Sequence, residues 1–198
     1  MKHQYISLNQ IDTAHFSTCD GCETPCCDGK RFSFIPLILE DFDEVYQNFA
    51  IVLAKISNQW RFLMLLSKDD KSGCEYFKEG KCTIYDTRPP GCKLYPFSPF
   101  NDDILLDTSC PAVNDTEQGD FLASTEQINN NFYHDRLNDF NDKRKNTEYI
   151  LTLCTQSEDD VSSLGIFNNI ELFKYSGSSE ELLRQPWMKM HIDSLKKL

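Results

Sequence analysis

The sequence predicts an α+β protein made of a small cysteine-rich body with short strands, a hairpin and a helix, followed by a mainly helical C-terminal tail. Three observations lead there. Eight of the nine cysteines fall within the first 110 residues, and only Cys154 lies beyond them. The same stretch is cut by prolines and glycines into short apolar runs, each long enough for a strand. From about Glu117 onward the apolar residues recur with helical spacing. The expected division is therefore residues 1–116 for the body and 117–198 for the tail. No internal repeat is visible.

The elements follow in order. Arg31-Phe-Ser-Phe-Ile alternates as a short strand does, and Pro36 is expected to end it. Phe42, Val45, Tyr46 and Phe49 recur at i, i+3, i+4 and i+7, which marks one apolar face of a helix. Trp60 to Leu66 reads as a strand or buried segment. Cys74-Glu-Tyr-Phe-Lys-Glu-Gly-Lys-Cys82-Thr-Ile-Tyr predicts a hairpin turning at Gly80, with a cysteine entering each arm, so that Cys74 and Cys82 come together. In Asp86-Thr-Arg-Pro-Pro-Gly-Cys92, two prolines and a glycine predict a turn that aims Cys92 back toward the hairpin. Tyr95-Pro-Phe-Ser-Pro-Phe continues extended, and Ile104-Leu-Leu precedes Cys110-Pro111. In the tail, Tyr133, Leu137 and Phe140 share one stripe. Tyr149 to Leu153, Val161 to Phe173 and Glu180 to Leu195 are read as further helices, the last interrupted at Pro186.

The cysteines carry the chemistry. Cys19, Cys22, Cys26 and Cys27 form a C-x2-C-x3-C-C cluster, and Cys74, Cys82, Cys92 and Cys110 supply a second group of four. Soft thiolates select zinc, cuprous copper or iron-sulfur clusters, and those centres take four ligands each. Two four-cysteine zinc sites, one [4Fe–4S] cubane with spare thiols, and a cluster plus a zinc all satisfy the count. Cys19 and Cys22 form the best pair, because Asp20-Gly21 supplies the tight turn that C-x2-C needs. Cys26 and Cys27 are adjacent and point in different directions, so one of them serves a second site or remains a thiol. Cys154, in an apolar context, reads as a core thiol.

A disulfide framework is the competing use of so many cysteines, and it belongs to short secreted chains. This chain has 198 residues and an odd number of cysteines, and residues 1–10 have no apolar core of signal-peptide length, so a cytoplasmic location is expected. Hydrophobic residues make up 40% of the chain, enough for a packed core, and no apolar run reaches the length of a membrane span. Twenty basic and 31 acidic side chains give a net charge of -11, which repels a phosphate backbone. Neither nucleic acid nor membrane is expected as a partner; a protein partner is left open. Lys30, Arg31, Arg88 and Lys93 flank the cysteines and can offset thiolate charge.

Catalytic motifs are missing from the letters. A radical S-adenosylmethionine site needs C-x3-C-x2-C, and position 29, where the third cysteine should stand, is Gly29. The flanks of Cys19-Asp-Gly-Cys22 show no strand-to-helix junction of a thioredoxin kind. No G-x-G-x-x-G, Walker loop, H-E-x-x-H or G-x-S-x-G occurs. His15 is read as a surface or supporting residue, and His3, His134 and His191 carry no signal.

The run Cys19-x2-Cys22-x3-Cys26-Cys27, then Cys74, then Cys82-Thr-Ile-Tyr-Asp-Thr-Arg-Pro-Pro-Gly-Cys92-Lys-Leu-Tyr-Pro-Phe, resembles the YkgJ-type cysteine-cluster family of zinc- or iron-chelating domains over about residues 15–112. The family usually has Cys-Arg where this chain has Cys92-Lys93. The resemblance implies zinc or an iron-sulfur centre as cofactor. The flagellin lysine N-methylases are similar in carrying the same cysteine module, and they imply a methyl-transferring alternative that uses S-adenosylmethionine and an iron-sulfur centre.

Overall fold

The computed structural model describes residues 5–7, 10, 13–16, 33–67, 73–100, 103–110, 113–114, 121–124 and 132–198. In chain order the elements begin with β1 (Tyr5–Ser7), β2 (Thr13–Phe16), β3 (Phe34–Leu37), α1 (Phe42–Val45), β4 (Ile51–Ile56), β5 (Gln59–Leu65), β6 (Phe77–Lys78), β7 (Lys81–Cys82) and α2 (Pro90–Leu94). They continue with β8 (Phe97–Phe100), β9 (Asp103–Asp107), β10 (Val113–Asn114), β11 (Phe121–Ser124), α3 (Phe132–Cys154), β12 (Val161–Phe167), β13 (Ile170–Tyr175), α4 (Glu180–Arg184) and α5 (Pro186–Ser194). Strands and helices are both substantial, so the α+β class holds.

Two compact units share these elements. One comprises residues 1–25 and 93–142, the other residues 26–92 and 143–198. The expected division at 116/117 does not match these units, because each takes residues from both sides of it. The physical reason is strand pairing: β13, from the tail, bonds to β4, from the body, in a five-stranded antiparallel sheet of order β12-β13-β4-β5-β3.

That sheet is built from four antiparallel ladders, two of which, β4–β5 and β12–β13, are closed by tight turns. Ser57–Asn58 and Asn168–Asn169 both take positive φ at two successive residues, the turn whose twist matches the β4–β5 and β12–β13 ladders they close. In β4, Ile51 and Leu53 pack into one core with Phe42, Phe62, Met64, Leu151 and Met188, while Val52 and Ala54 enter a second with Leu63, Leu65 and Leu172. Alternation puts a core on each face of the strand, which is why β4 reads as continuously apolar rather than alternating. Pro36 lies within β3 rather than ending it. The strand is at the sheet edge, where a missing N–H costs no ladder bond.

The tail departs most from expectation. Val161 to Phe173, expected as a helix, is the β12–β13 hairpin. Val161, Leu164, Phe167, Ile170 and Phe173 fall at every third position and so imitate a helical stripe, but Asn168–Asn169 turns the chain and β4 receives β13. β11 also lies where helix was expected to have begun, and Tyr149 to Leu153 belongs to the single long helix α3. Among its described side chains Thr147, Leu151 and Cys154 are buried on one stripe, and the Thr147 hydroxyl accepts the Leu39 N–H at 3.1 Å. The break at Pro186 is as expected: Ser179 caps α4, and Pro186 takes the first position of α5, where its missing N–H is no loss.

Helix α5 carries a further device. By register Tyr175 would face Ile51, but there the direct β13–β4 ladder stops at Phe173–Leu53. His191, fully buried, fills the gap: its Nδ1 donates to the Ile51 carbonyl at 2.9 Å and its Nε2 accepts the Tyr175 N–H at 3.2 Å. Ser194 completes the join by accepting the Ile51 N–H at 2.9 Å. The other unit contains two three-stranded antiparallel sheets, of order β1-β9-β8 and β10-β2-β11.

Candidate metal centre

Four of the eight expected ligands, Cys19, Cys22, Cys26 and Cys27, lie outside the described residues, as do Lys30 and Arg31. For His15 only the backbone is described, within β2 and opposite Asn114 and Leu122.

Cys74, Cys82 and Cys92 belong to one continuous segment of the second unit. The Cys74 carbonyl accepts the Phe77 N–H at 2.9 Å, a tight turn that leads into β6. The side chain of Cys74 is half-buried against the larger core beside Tyr76. Tyr76 is pinned at both ends: its ring meets Phe49 edge-on at 5.1 Å, and its hydroxyl donates to Asn48 Oδ1 at 3.2 Å. Burial, and then the neighbouring charges of Glu75 and Cys74, hold that hydroxyl above the usual tyrosine range.

The hairpin turns at Glu79–Gly80, both at positive φ, as the sequence predicts for Gly80. Cys82 sits on β7 opposite Phe77, and Thr83 closes the next rung onto the Tyr76 carbonyl. The two cysteines thus share one hairpin without being cross-strand partners, since Cys74 precedes β6 instead of entering it.

Beyond the hairpin, Arg88 lies over the Tyr85 ring with its guanidinium carbon 3.8 Å from the centroid, a cation–π contact. Pro89 and Pro90 are buried, and Pro90 opens helix α2 instead of a simple turn. Cys92 stands in that helix, its N–H on the Pro89 carbonyl at 2.9 Å and its side chain half-buried against the same core as Cys74. Gly91 is required here: a Cβ at this position would run into the Ile35 side chain of β3. Lys93 lies in the last turn of α2, where a cation is favoured.

Cys110 belongs to the other unit, in the turn after β9, and is 8% exposed. Among the described residues no three His, Cys, Asp or Glu side chains stand together as a ready ligand set. The donor chemistry nevertheless suits a soft metal: Cys74, Cys82 and Cys92 are shielded without being sealed off, as ligands must be if they are to meet partners from elsewhere in the chain. Cys154 is different. It is wholly buried at the end of α3, and burial, followed by the charge of Asp160, pushes its thiol up to about 12. It is a core residue and a poor ligand, as its sequence context indicates.

Residues 18–128 match the CxxCxxCC family, described as "Putative zinc- or iron-chelating domain". The match covers more than half of the chain, so the protein belongs to that family: it is a metal-binding cysteine-cluster protein. No solved structure matches the chain.

His191 is a residue that no sequence pattern singles out. A lone histidine in an amphipathic helix has no pattern to distinguish it, and its role depends on strands far away in the chain.

Proposed function

We propose that Cys19, Cys22, Cys26, Cys27, Cys74, Cys82, Cys92 and Cys110 hold zinc or an iron-sulfur cluster, and that the bound metal organises the fold of a cytoplasmic protein and is kept for, or delivered to, a protein partner. One observation carries this reading. Cys74, Cys82 and Cys92 are spread along a segment whose regular structure is two strands of two residues and one helix of five. A hairpin that small is at best marginal by itself, and metal cross-links are the usual means of fastening so sparse a segment. The metal, once bound, supplies that cross-link.

Thiolate ligands need a reducing compartment, which supports the cytoplasm. Their charge adds to a chain already at -11, which speaks against nucleic acid as the partner. No helix among the described residues is long and apolar enough to cross a membrane. No arrangement among the described residues favours the lysine-methylase alternative, and absence of S-adenosylmethionine binding in calorimetry would close it.

Purification without oxygen, followed by metal and sulfide analysis and an ultraviolet-visible spectrum, tests the proposal. At least one bound metal per chain is expected; broad absorption at the blue edge assigns an iron-sulfur cluster, and a colourless protein assigns zinc. Less than one metal per chain overturns it. Cys22→Ala should lose metal and Cys154→Ala should not, so equal loss in both would overturn the ligand assignment.

A further inference from the structure

Asp107 is fully buried, although its carboxylate is the kind of group that burial penalises most. It is the last residue of β9, and its N–H donates to the Pro96 carbonyl at 3.0 Å, which extends the β8–β9 ladder by one rung. Among the described residues, Tyr95 and Ser109 bring three donors to its side chain. Tyr95 gives its hydroxyl to Oδ2 at 3.1 Å, Ser109 gives its N–H to Oδ1 at 3.0 Å, and the Ser109 hydroxyl reaches the same oxygen. The Asp107 carbonyl meanwhile accepts the Cys110 N–H at 3.1 Å, and the Cys110 carbonyl accepts the Val113 N–H at 2.9 Å. One buried carboxylate thus ties the turn that carries Cys110 to Tyr95, the residue that follows helix α2 and its Cys92. An apolar residue would fill the same space at less desolvation cost but could not hold three donors in fixed directions.

We propose that Asp107 is a positioning residue of the metal centre: through Ser109 it fixes the Cys110 turn, and through Tyr95 it fixes the chain leaving Cys92, so that the Cys110 sulfur is presented in a single place. This rests on the thiolate reading of the previous section, with Cys110 among the ligands. Asp107 itself touches no metal. Its effect is to remove the freedom the turn would otherwise lose on binding, the way residues behind metal ligands commonly act.

Cobalt(II) titration of the full-length apoprotein, with affinity measured against a competing chelator, tests this, because the sulfur-to-cobalt charge-transfer band scales with the number of thiolates bound. Cys110→Ala sets the reference, an expected loss of about a quarter of the band at a four-ligand site. Asp107→Ala and Tyr95→Phe should weaken cobalt binding about 10- to 100-fold, and Asp107→Ala should also lose the Cys110 share of the band. Asp107→Asn keeps an oxygen for Ser109 and so should retain the band with an intermediate affinity; it and Tyr95→Phe carry the test if Asp107→Ala does not fold. Wild-type affinity and band in Asp107→Asn and Tyr95→Phe alike would overturn the proposal. So would a Cys110→Ala band equal to wild type, or an Asp107→Asn loss as large as the reference. A wild-type protein with no sulfur-to-cobalt band at all would overturn the thiolate reading itself.

Discussion

At the scale of single residues, the clearest physical commitment is the neutral imidazole of His191. Nδ1 donates and Nε2 accepts, an arrangement that only the uncharged ring can satisfy. Burial, opposed in part by the hydrogen bond to Ile51, lowers its pKa from 6.5 to about 4. Between those values the unfolded chain takes up a proton that the native state refuses. His191 therefore contributes its full stabilisation above pH 6.5 and loses it as pH falls toward 4, a loss on the order of 3 kcal/mol. Denaturant melts of wild type and His191→Phe across this range check it: the variant should be less stable at pH 7 by roughly 2 kcal/mol, for the backbone groups that lose the ring, and the gap should close at about pH 5 and reverse toward pH 4. A gap independent of pH would mean that the ring is not the titrating group. Cys154 could be read from its apolar neighbours; His191 could not, because Ile51 and Tyr175 give it meaning only after the chain has folded back.

Among the elements, helix α2 is the one whose packing bears most directly on Cys92. It is five residues long, too short to persist by its own hydrogen bonds, and is held by Pro90 at its start and by the fit of Gly91 against Ile35. Gly91→Ala forces helix and strand apart. The expected cost is about 1–3 kcal/mol with a shift of Cys92, seen as a lower melting temperature together with weaker metal retention against a chelator. Unchanged values for both would show that Ile35 yields freely. Elements were legible where a local rule dominates. Gly80 announces its hairpin, Pro186 the break in the last helix, and Trp60 to Leu66 a strand or buried segment, which the structure resolves as β5. Val161 to Phe173 was misread because threefold spacing imitates a helix, and the competing signal, Asn168–Asn169 between two strands, decides only when β4 is there to receive β13.

For the whole molecule, the consequence of that pairing is that the family-matched region, residues 18–128, holds only part of the five-stranded sheet and of the larger core. Residues 143–198 supply β12 and β13 and bring Leu151, Cys154, Tyr175, Leu182 and Met188 to the core on which Cys74 and Cys92 rest. A chain ending at residue 128 should lose its cooperative thermal transition, because Ile51, Leu53, Phe62 and Met64 would be left without that cover. Calorimetry checks this, and a truncated protein that melts as sharply as the full chain would refute it.

The sequence by itself determined the class of chemistry: a cysteine order that places the chain in a zinc- or iron-chelating family, with turns and strand runs set by residue type, because thiol chemistry and backbone preference are local properties. Tertiary structure alone decided which segments share a sheet, that a carboxylate and an imidazole are buried at Asp107 and His191, and that the tail belongs to the core beneath Cys74 and Cys92. The sheet and the His191 join depend on contacts between residues more than a hundred positions apart, and the Asp107 knot depends on a fold-back of the chain between Tyr95 and Ser109; no spacing along the chain encodes either.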